Sequence, residues 1–261
     1  MSIRISSNVI SRWLGVCADA LAAIGFPADC RLCERPLESA SRVPVCEACL
    51  NSFPRIAGEI CSLCGQALAA GEMLSDDPEI CRSCSEERFA FAVARSFGIY
   101  RESLVRAILL LKYEQVEPLG AWFAKRLAEV VRGEGGLLSA DIVVPVPLHR
   151  QRQRERGFNQ VELFARPLAK LLELPYRPVL LVRKRPRPEK HLLTRDERQA
   201  AVRGAFAMQK GARVDNSRVL LLDDVITTGA TLDACAGALR EAGAASVLGL
   251  TIARAARQAA Q

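Results

Sequence analysis

The stretch Arg218-Val-Leu-Leu-Leu-Asp-Asp-Val-Ile-Thr-Thr-Gly-Ala-Thr231 constrains the fold more than any other part of the chain. Val219 to Leu222 is an apolar run long enough for a strand buried on both faces. Two adjacent carboxylates follow, Asp223 and Asp224, and then Thr227, Thr228, Gly229, Ala230 and Thr231, dense in hydroxyls and small residues. An alanine-rich helix is predicted from about Leu232 to Glu241. A tight strand-to-helix turn of this kind offers successive backbone N–H groups and the positive end of a helix dipole to an anion. The Thr hydroxyls add donors, and Gly229 lets the backbone approach a phosphate closely. The paired acids repel phosphate but suit vicinal sugar hydroxyls, or a magnesium ion that phosphates bring with them. Phosphate, diol and divalent metal together describe a phosphorylated ribose. A bare strand end and helix cap needs one such residue, not five.

The stretch is not a Walker loop, because Gly-Lys-Ser/Thr is missing, and the glycine spacing of a dinucleotide fingerprint is absent. It resembles the signature of type I phosphoribosyltransferases, which bind phosphoribosyl pyrophosphate. That resemblance implies an α/β fold, a parallel sheet flanked by helices, with the ligand at the carboxyl ends of the strands.

Eight of the ten cysteines fall in four Cys-x-x-Cys pairs: Cys30/Cys33, Cys46/Cys49, Cys61/Cys64 and Cys81/Cys84. Each pair can form a knuckle, and two knuckles complete a tetrahedral thiolate site. Two structural zinc sites are favoured over disulfides, a single redox pair or an iron–sulfur centre. Sequential pairing of the knuckles is the expectation, with interleaved pairing left open. Residues 26–90 hold few apolar side chains for a core of their own, so metal is expected to supply the folding energy. Structural support or docking of a protein partner is the expected role. Cys17 and Cys235 lie outside the pattern and are expected to be small buried hydrophobes.

The net charge is +7, but its distribution matters more than its sum. Residues 150–203 carry 15 Lys/Arg against 6 Asp/Glu, and the rest of the chain is close to neutral. Such confinement points to an anionic ligand. Arg150, Arg152, Arg154 and Arg156 alternate with polar residues and are expected on an extended loop or a helix start, with enough charge for a pyrophosphate. The stretch 183–198 is basic and broken by prolines; it reads as an arm over an anionic site, with Arg185, Arg187, Lys190 and Arg198 among its cations. Strands are expected at 97–100, 141–147, 179–182 and 244–252, and helices at 102–112, 118–131 and 159–173. Leu104, Ile108 and Leu111 form a core stripe on the first of these helices. No run of 18 uncharged apolar residues occurs, so no transmembrane helix is expected. A short amphipathic helix is the reading for residues 1–25, and a reducing, cytoplasmic setting suits the cysteine pattern.

Taken together, the chain resembles the ComF family, which joins a double zinc ribbon to a type I phosphoribosyltransferase-like domain. The motifs carrying the resemblance are the four cysteine pairs, Val144-Pro-Val-Pro-Leu-His-Arg150, Arg154-Glu-Arg-Gly-Phe-Asn-Gln160 and the Asp223–Thr231 loop. It implies an N-terminal helix (1–25), the double ribbon (26–90) and the transferase-like domain (91–261). It also implies that Asp223 and Asp224 hold the ribose with magnesium, that Thr227 to Thr231 hold the 5′-phosphate, and that Leu148, His149 and Arg150 hold pyrophosphate. The family pattern has Thr, Gln and Asn where this chain has Arg187, Lys190 and Ala201, which makes the arm more basic. Purine-salvage relatives have an acid at the position of Thr227, so a purine-salvage reaction is not expected, and no general base emerges. The expected function is binding of phosphoribosyl pyrophosphate with magnesium, with transfer of phosphoribose to an unknown acceptor. The alternatives are single-stranded DNA handling in DNA uptake, with which ComF members are associated, and sensing of the same ligand without turnover. Aromatics are only 5% of residues, which leaves few platforms for stacking single-stranded bases.

Overall fold

Val219, Leu220, Leu221 and Leu222 are all fully buried, as a strand with helices on both faces requires. They sit in β5 (Arg218–Ile226), which extends past the apolar run and carries both acids on its last turns of pleat. In the computed structural model, residues 28–37, 42–68, 79–86, 88–185, 202 and 204–255 are described. The expected helix over 1–25, Cys17, Arg187, Lys190 and Arg198 lie outside the described residues.

The chain divides into two compact units, one ending at Phe53 and the other starting at Pro54. The second contains a four-stranded, wholly parallel sheet of β1 (Val93–Ile99), β6 (Ser246–Arg254), β5 and β2 (Ile142–Pro145), in that spatial order. Strand β1 begins four residues earlier than the apolar pattern suggests. Its N-terminal half, Val93 to Ser96, alternates no clear polar face because it is covered on both sides. Val219 and Leu221 pack with Leu232, Cys235, Ala236 and Leu239 of α7 (Ala230–Glu241). By strand alternation Leu220 and Leu222 face the other side. There α3 (Glu102–Tyr113), α4 (Glu117–Gly133) and α6 (Glu162–Leu171) cover the sheet, with Leu104, Ile108, Phe123 and Phe164 fully buried. Phe97, Trp122 and Phe123 meet edge to face, at centroid distances of 5.2 to 5.9 Å.

A short antiparallel pair, β3 (Leu181–Arg183) with β4 (Phe206–Met208), stands apart from the main sheet and joins the α7 face through Leu181 and Phe206. The four alternating arginines form α5 (Arg150–Arg156), a helix closed by Gly157 at φ +80°. Gly98 in β1 is held to glycine by contact: a Cβ there would lie 2.4 Å from the Pro54 carbonyl oxygen. Among the described residues no helix is long and apolar enough to cross a membrane.

Candidate functional site

Each four-cysteine group closes on itself in sequential pairing. Cys30, Cys33, Cys46 and Cys49 gather in the first unit, and Cys61, Cys64, Cys81 and Cys84 in the second, with all sulfurs of a group within 4.8 Å of one another. Neighbouring sulfurs stand 3.7 to 3.8 Å apart. A tetrahedral zinc with Zn–S of about 2.3 Å sets its sulfurs about 3.8 Å apart, so both groups fit the metal. The two sites repeat one device. The Cys46 amide donates to Cys30 Sγ at 3.3 Å, and the Cys81 amide donates to Cys61 Sγ at 3.3 Å. Short helices α1 (Glu47–Asn51) and α2 (Arg82–Glu86) follow the third cysteine of each set.

The sites differ in their surroundings. In the first, Arg35 Nε lies 3.5 Å from Cys33 Sγ and pulls that thiol down to about 6. In the second, hydrogen bonding from Cys64 pushes Cys61 down, while bonding to Cys61 holds Cys84 up. Such a division is what four crowded sulfurs adopt unless a cation lets all of them ionise. The second group is also tied to the sheet. The Ala94 amide donates to the Leu63 carbonyl at 2.7 Å, Arg95 Nη1 to Ser62 O at 3.0 Å, and Arg254 reaches both Cys64 and Gln66.

The second feature is a cleft at the carboxyl ends of β2 and β5. Its lining includes Leu148, His149, Asp223, Asp224, Thr227, Gly229 and Thr231. After Ile226 the chain turns through Gly229, at φ +87°, into the first turn of α7. This is a left-handed conformation that side chains disfavour, and it sets Thr231 and Leu232 of the helix start in the lining of the cleft. Ala230 is buried behind the turn, while Thr228 faces a second, smaller cavity shared with Cys64, Cys81, Cys84 and Arg254. Phe89 and Phe91 stack at 4.7 Å beside Gly229, and Asp233 Oδ1 accepts the Ala90 amide at 2.6 Å, fixing that segment to α7.

Across the cleft, His149 caps α5: its Nδ1 accepts the Gln151 amide at 3.3 Å. The imidazole is thus engaged with backbone. One face of α5, one turn apart, brings Arg152 and Arg156 to the cleft, whereas Arg150 is exposed and does not line it. Arg183 comes in on β3, its strand bridged to His149, with its guanidinium 5.0 Å from the Phe206 ring centre. Arg185 is exposed, and its carbonyl accepts from Arg183 Nε at 3.0 Å.

The cleft also contains residues that the sequence did not single out. Asp224 Oδ2 accepts from Gln160 Nε2 at 2.6 Å and pairs with Lys112 Nζ at 3.0 Å. Gln160 Oε1 in turn accepts from Arg156 Nη1 at 2.9 Å, and Arg156 stands 5.0 Å over the Tyr113 ring. Asn159 is buried and holds the entry to α6, donating to Val146 O and accepting the Val161 amide. Gln160 and Asn159 lie in the Arg154–Gln160 motif, but neither was assigned a role from it. Lys112 ends the apolar stripe of α3 and left no signal.

A parallel sheet with a strand–acid pair–turn–helix cleft, together with two four-cysteine sites, defines a phosphoribosyltransferase-type domain joined to a double zinc ribbon. Residues 162–260 match the phosphoribosyl transferase domain and residues 21–85 the double zinc ribbon domain. The chain is 30% identical over 225 residues to the DNA utilization protein YhgH of Salmonella typhi, covering 85% of this chain and 94% of that protein. It is 28% identical over 216 residues to the competence protein ComFC of Bacillus subtilis (80% and 84%) and 27% identical over 214 residues to competence protein F of Haemophilus influenzae (80% and 89%). The chain belongs to the ComF/YhgH family.

Proposed function

We propose that the cleft binds phosphoribosyl pyrophosphate or a related phosphorylated ribose. The observation carrying this reading is the turn at Gly229, which sets Thr227, Thr231 and the start of α7 beside the acid pair on one strand end. In this reading the 5′-phosphate takes the Thr227–Thr231 turn and the ribose hydroxyls donate to Asp223 and Asp224. Pyrophosphate lies against Leu148 and His149, with Arg152 and Arg156 supplying charge that Arg150 does not bring to the cleft. Magnesium arrives with the pyrophosphate oxygens. Asp224 Oδ2 already accepts two N–H donors and is not an open ligand for a metal. Transfer of phosphoribose to an acceptor would draw on the same cations to stabilise the leaving pyrophosphate.

Calorimetry with phosphoribosyl pyrophosphate tests the reading. Wild type should bind, and Asp223→Asn should bind at least about tenfold more weakly; no heat from the folded, zinc-loaded wild type would remove the proposal. Pyrophosphate release in the presence of candidate bases then separates transfer from sensing without turnover.

A second reading draws on the other face of α5, where Arg150 and Arg154 are exposed. Relatives are called a DNA utilization protein and competence proteins, and exposed arginines suit a phosphate backbone. Single-stranded DNA binding that weakens steeply with salt, and weakens again in Arg150→Ala/Arg154→Ala, supports it. A flat salt response counts against it.

A further inference from the structure

We infer that Lys112 is a positioning residue that takes the place of a divalent cation at Asp224, so that the ribose 5-phosphate end of the ligand is held without magnesium. The inference rests on the ribose-phosphate reading above.

Lys112 is not a solvated surface lysine. It stands on the last turn of α3, which Leu104, Ile108 and Leu111 fasten to the sheet with no exposed area, and only 16% of its own side chain is exposed. Its ammonium meets Asp224 Oδ2 at 3.0 Å, and Asp224 is itself 7% exposed. The same oxygen takes Gln160 Nε2 at 2.6 Å. The orientation of that amide is fixed, because Arg156 donates to Gln160 Oε1. Arg156 is placed in turn by the Tyr113 ring, one residue beyond Lys112.

Magnesium demands oxygen ligands at about 2.1 Å and a near-octahedral shell. To bind Asp224 Oδ2 directly it would have to displace both N–H donors. It would then hold a double positive charge beside a largely buried ammonium, a like-charge contact that low local dielectric makes costly. Ribose hydroxyls need acceptors and no metal of their own. The phosphate end finds its donors in the Thr227–Thr231 turn and the α7 start. Two carboxylates, one resident ammonium and a fixed amide thus form a sugar-binding edge whose charge is partly neutralised by the protein.

Ribose 5-phosphate separates this from magnesium bound by a pyrophosphate, since it has none. Its affinity is measured by calorimetry on zinc-loaded protein, in resin-treated metal-free buffer and again with millimolar magnesium. Wild type should change by less than about twofold between the two. Lys112→Ala should lose about tenfold or more in metal-free buffer and recover part of it with magnesium, because the emptied position admits a hydrated ion. Lys112→Arg, which keeps a cation there, should remain metal-independent. Wild-type binding that strengthens about tenfold or more with magnesium overturns the inference while leaving the ribose-phosphate reading standing. No binding in either buffer overturns that reading and this inference together. The wild-type comparison decides even where Lys112→Ala does not fold, as judged by zinc content and circular dichroism.

Discussion

Arg254 donates from Nη2 to Cys64 Sγ at 3.2 Å and from Nη1 to the Cys64 carbonyl at 2.8 Å. It is the last residue of β6, so a single buried guanidinium joins a zinc ligand to the sheet that carries the cleft. Its Nε also reaches Gln66 Oε1 at 2.8 Å, leaving each edge of the guanidinium occupied. The second four-cysteine site is therefore part of the sheet unit's own packing.

Replacing Arg254 by Leu should remove that tie and leave Cys64 without its guanidinium donor. Breaking a buried charge contact in this way costs about 3 kcal/mol. Urea denaturation of the zinc-loaded protein should show a loss of that order, with the midpoint falling at unchanged slope. A variant as stable as wild type would mean that Arg254 only fills space.

The two zinc sites should part company under a chelator. Cys33, Cys46 and Cys49 are partly exposed, whereas Cys61, Cys64, Cys81 and Cys84 are all buried. Release followed with a chromogenic chelator should run in two phases of about one zinc each, the slow one accompanied by loss of secondary structure. Cys33→Ser should remove the fast phase and spare the melting of the sheet unit; Cys61→Ser should remove the slow phase and lower that melting sharply. A single phase, or an equal effect of the two variants, would show that the sites act as one.

How far this was legible beforehand can be read from individual residues. The strand at Val219–Leu222 and the turn at Gly229 follow from local chemistry, since an apolar run and a small residue between hydroxyls have few other uses. The cysteine pairs give ligand identity through spacing alone. The start of β1 at Val93 was not legible, because a strand covered on both faces lacks a polar alternation, and the tie of Leu63 to Ala94 is non-local. Lys112 was hidden for a related reason. Its role depends on Asp224, 112 positions away, and a lysine closing an amphipathic helix ordinarily complements the helix dipole. Arg150 closes the Val144–Arg150 motif and was expected at the pyrophosphate, yet helical spacing turned Arg152 and Arg156 toward the cleft instead.

Gly229→Ala should be the sharpest probe of the phosphate turn. A residue with a Cβ at φ +87° pays about 1–2 kcal/mol, and this Cβ would lie 3.2 Å from the Phe89 ring. The turn is expected to relax away from the left-handed conformation, which re-aims the first N–H groups of α7. Ribose 5-phosphate affinity should drop by about tenfold or more, with stability reduced by no more than about 2 kcal/mol. Unchanged affinity would separate the turn from ligand binding.

Cys235 offers a pH test independent of metal and ligand. It is fully buried on α7, and desolvation raises its thiol well above the ordinary value. In the unfolded chain the same thiol ionises near about 8.5. Above that pH the unfolded state has lost a proton that the folded state keeps, so this residue's contribution to stability is intact at neutral pH and declines as pH rises. The other cysteines ionise in the same range once the chain is unfolded, so the informative quantity is the difference between wild type and Cys235→Ala. That difference should be flat below pH of about 8 and then shift against wild type by at most about 1.4 kcal/mol per pH unit. A parallel pair of stability curves across the range would show that the thiol ionises inside the folded protein.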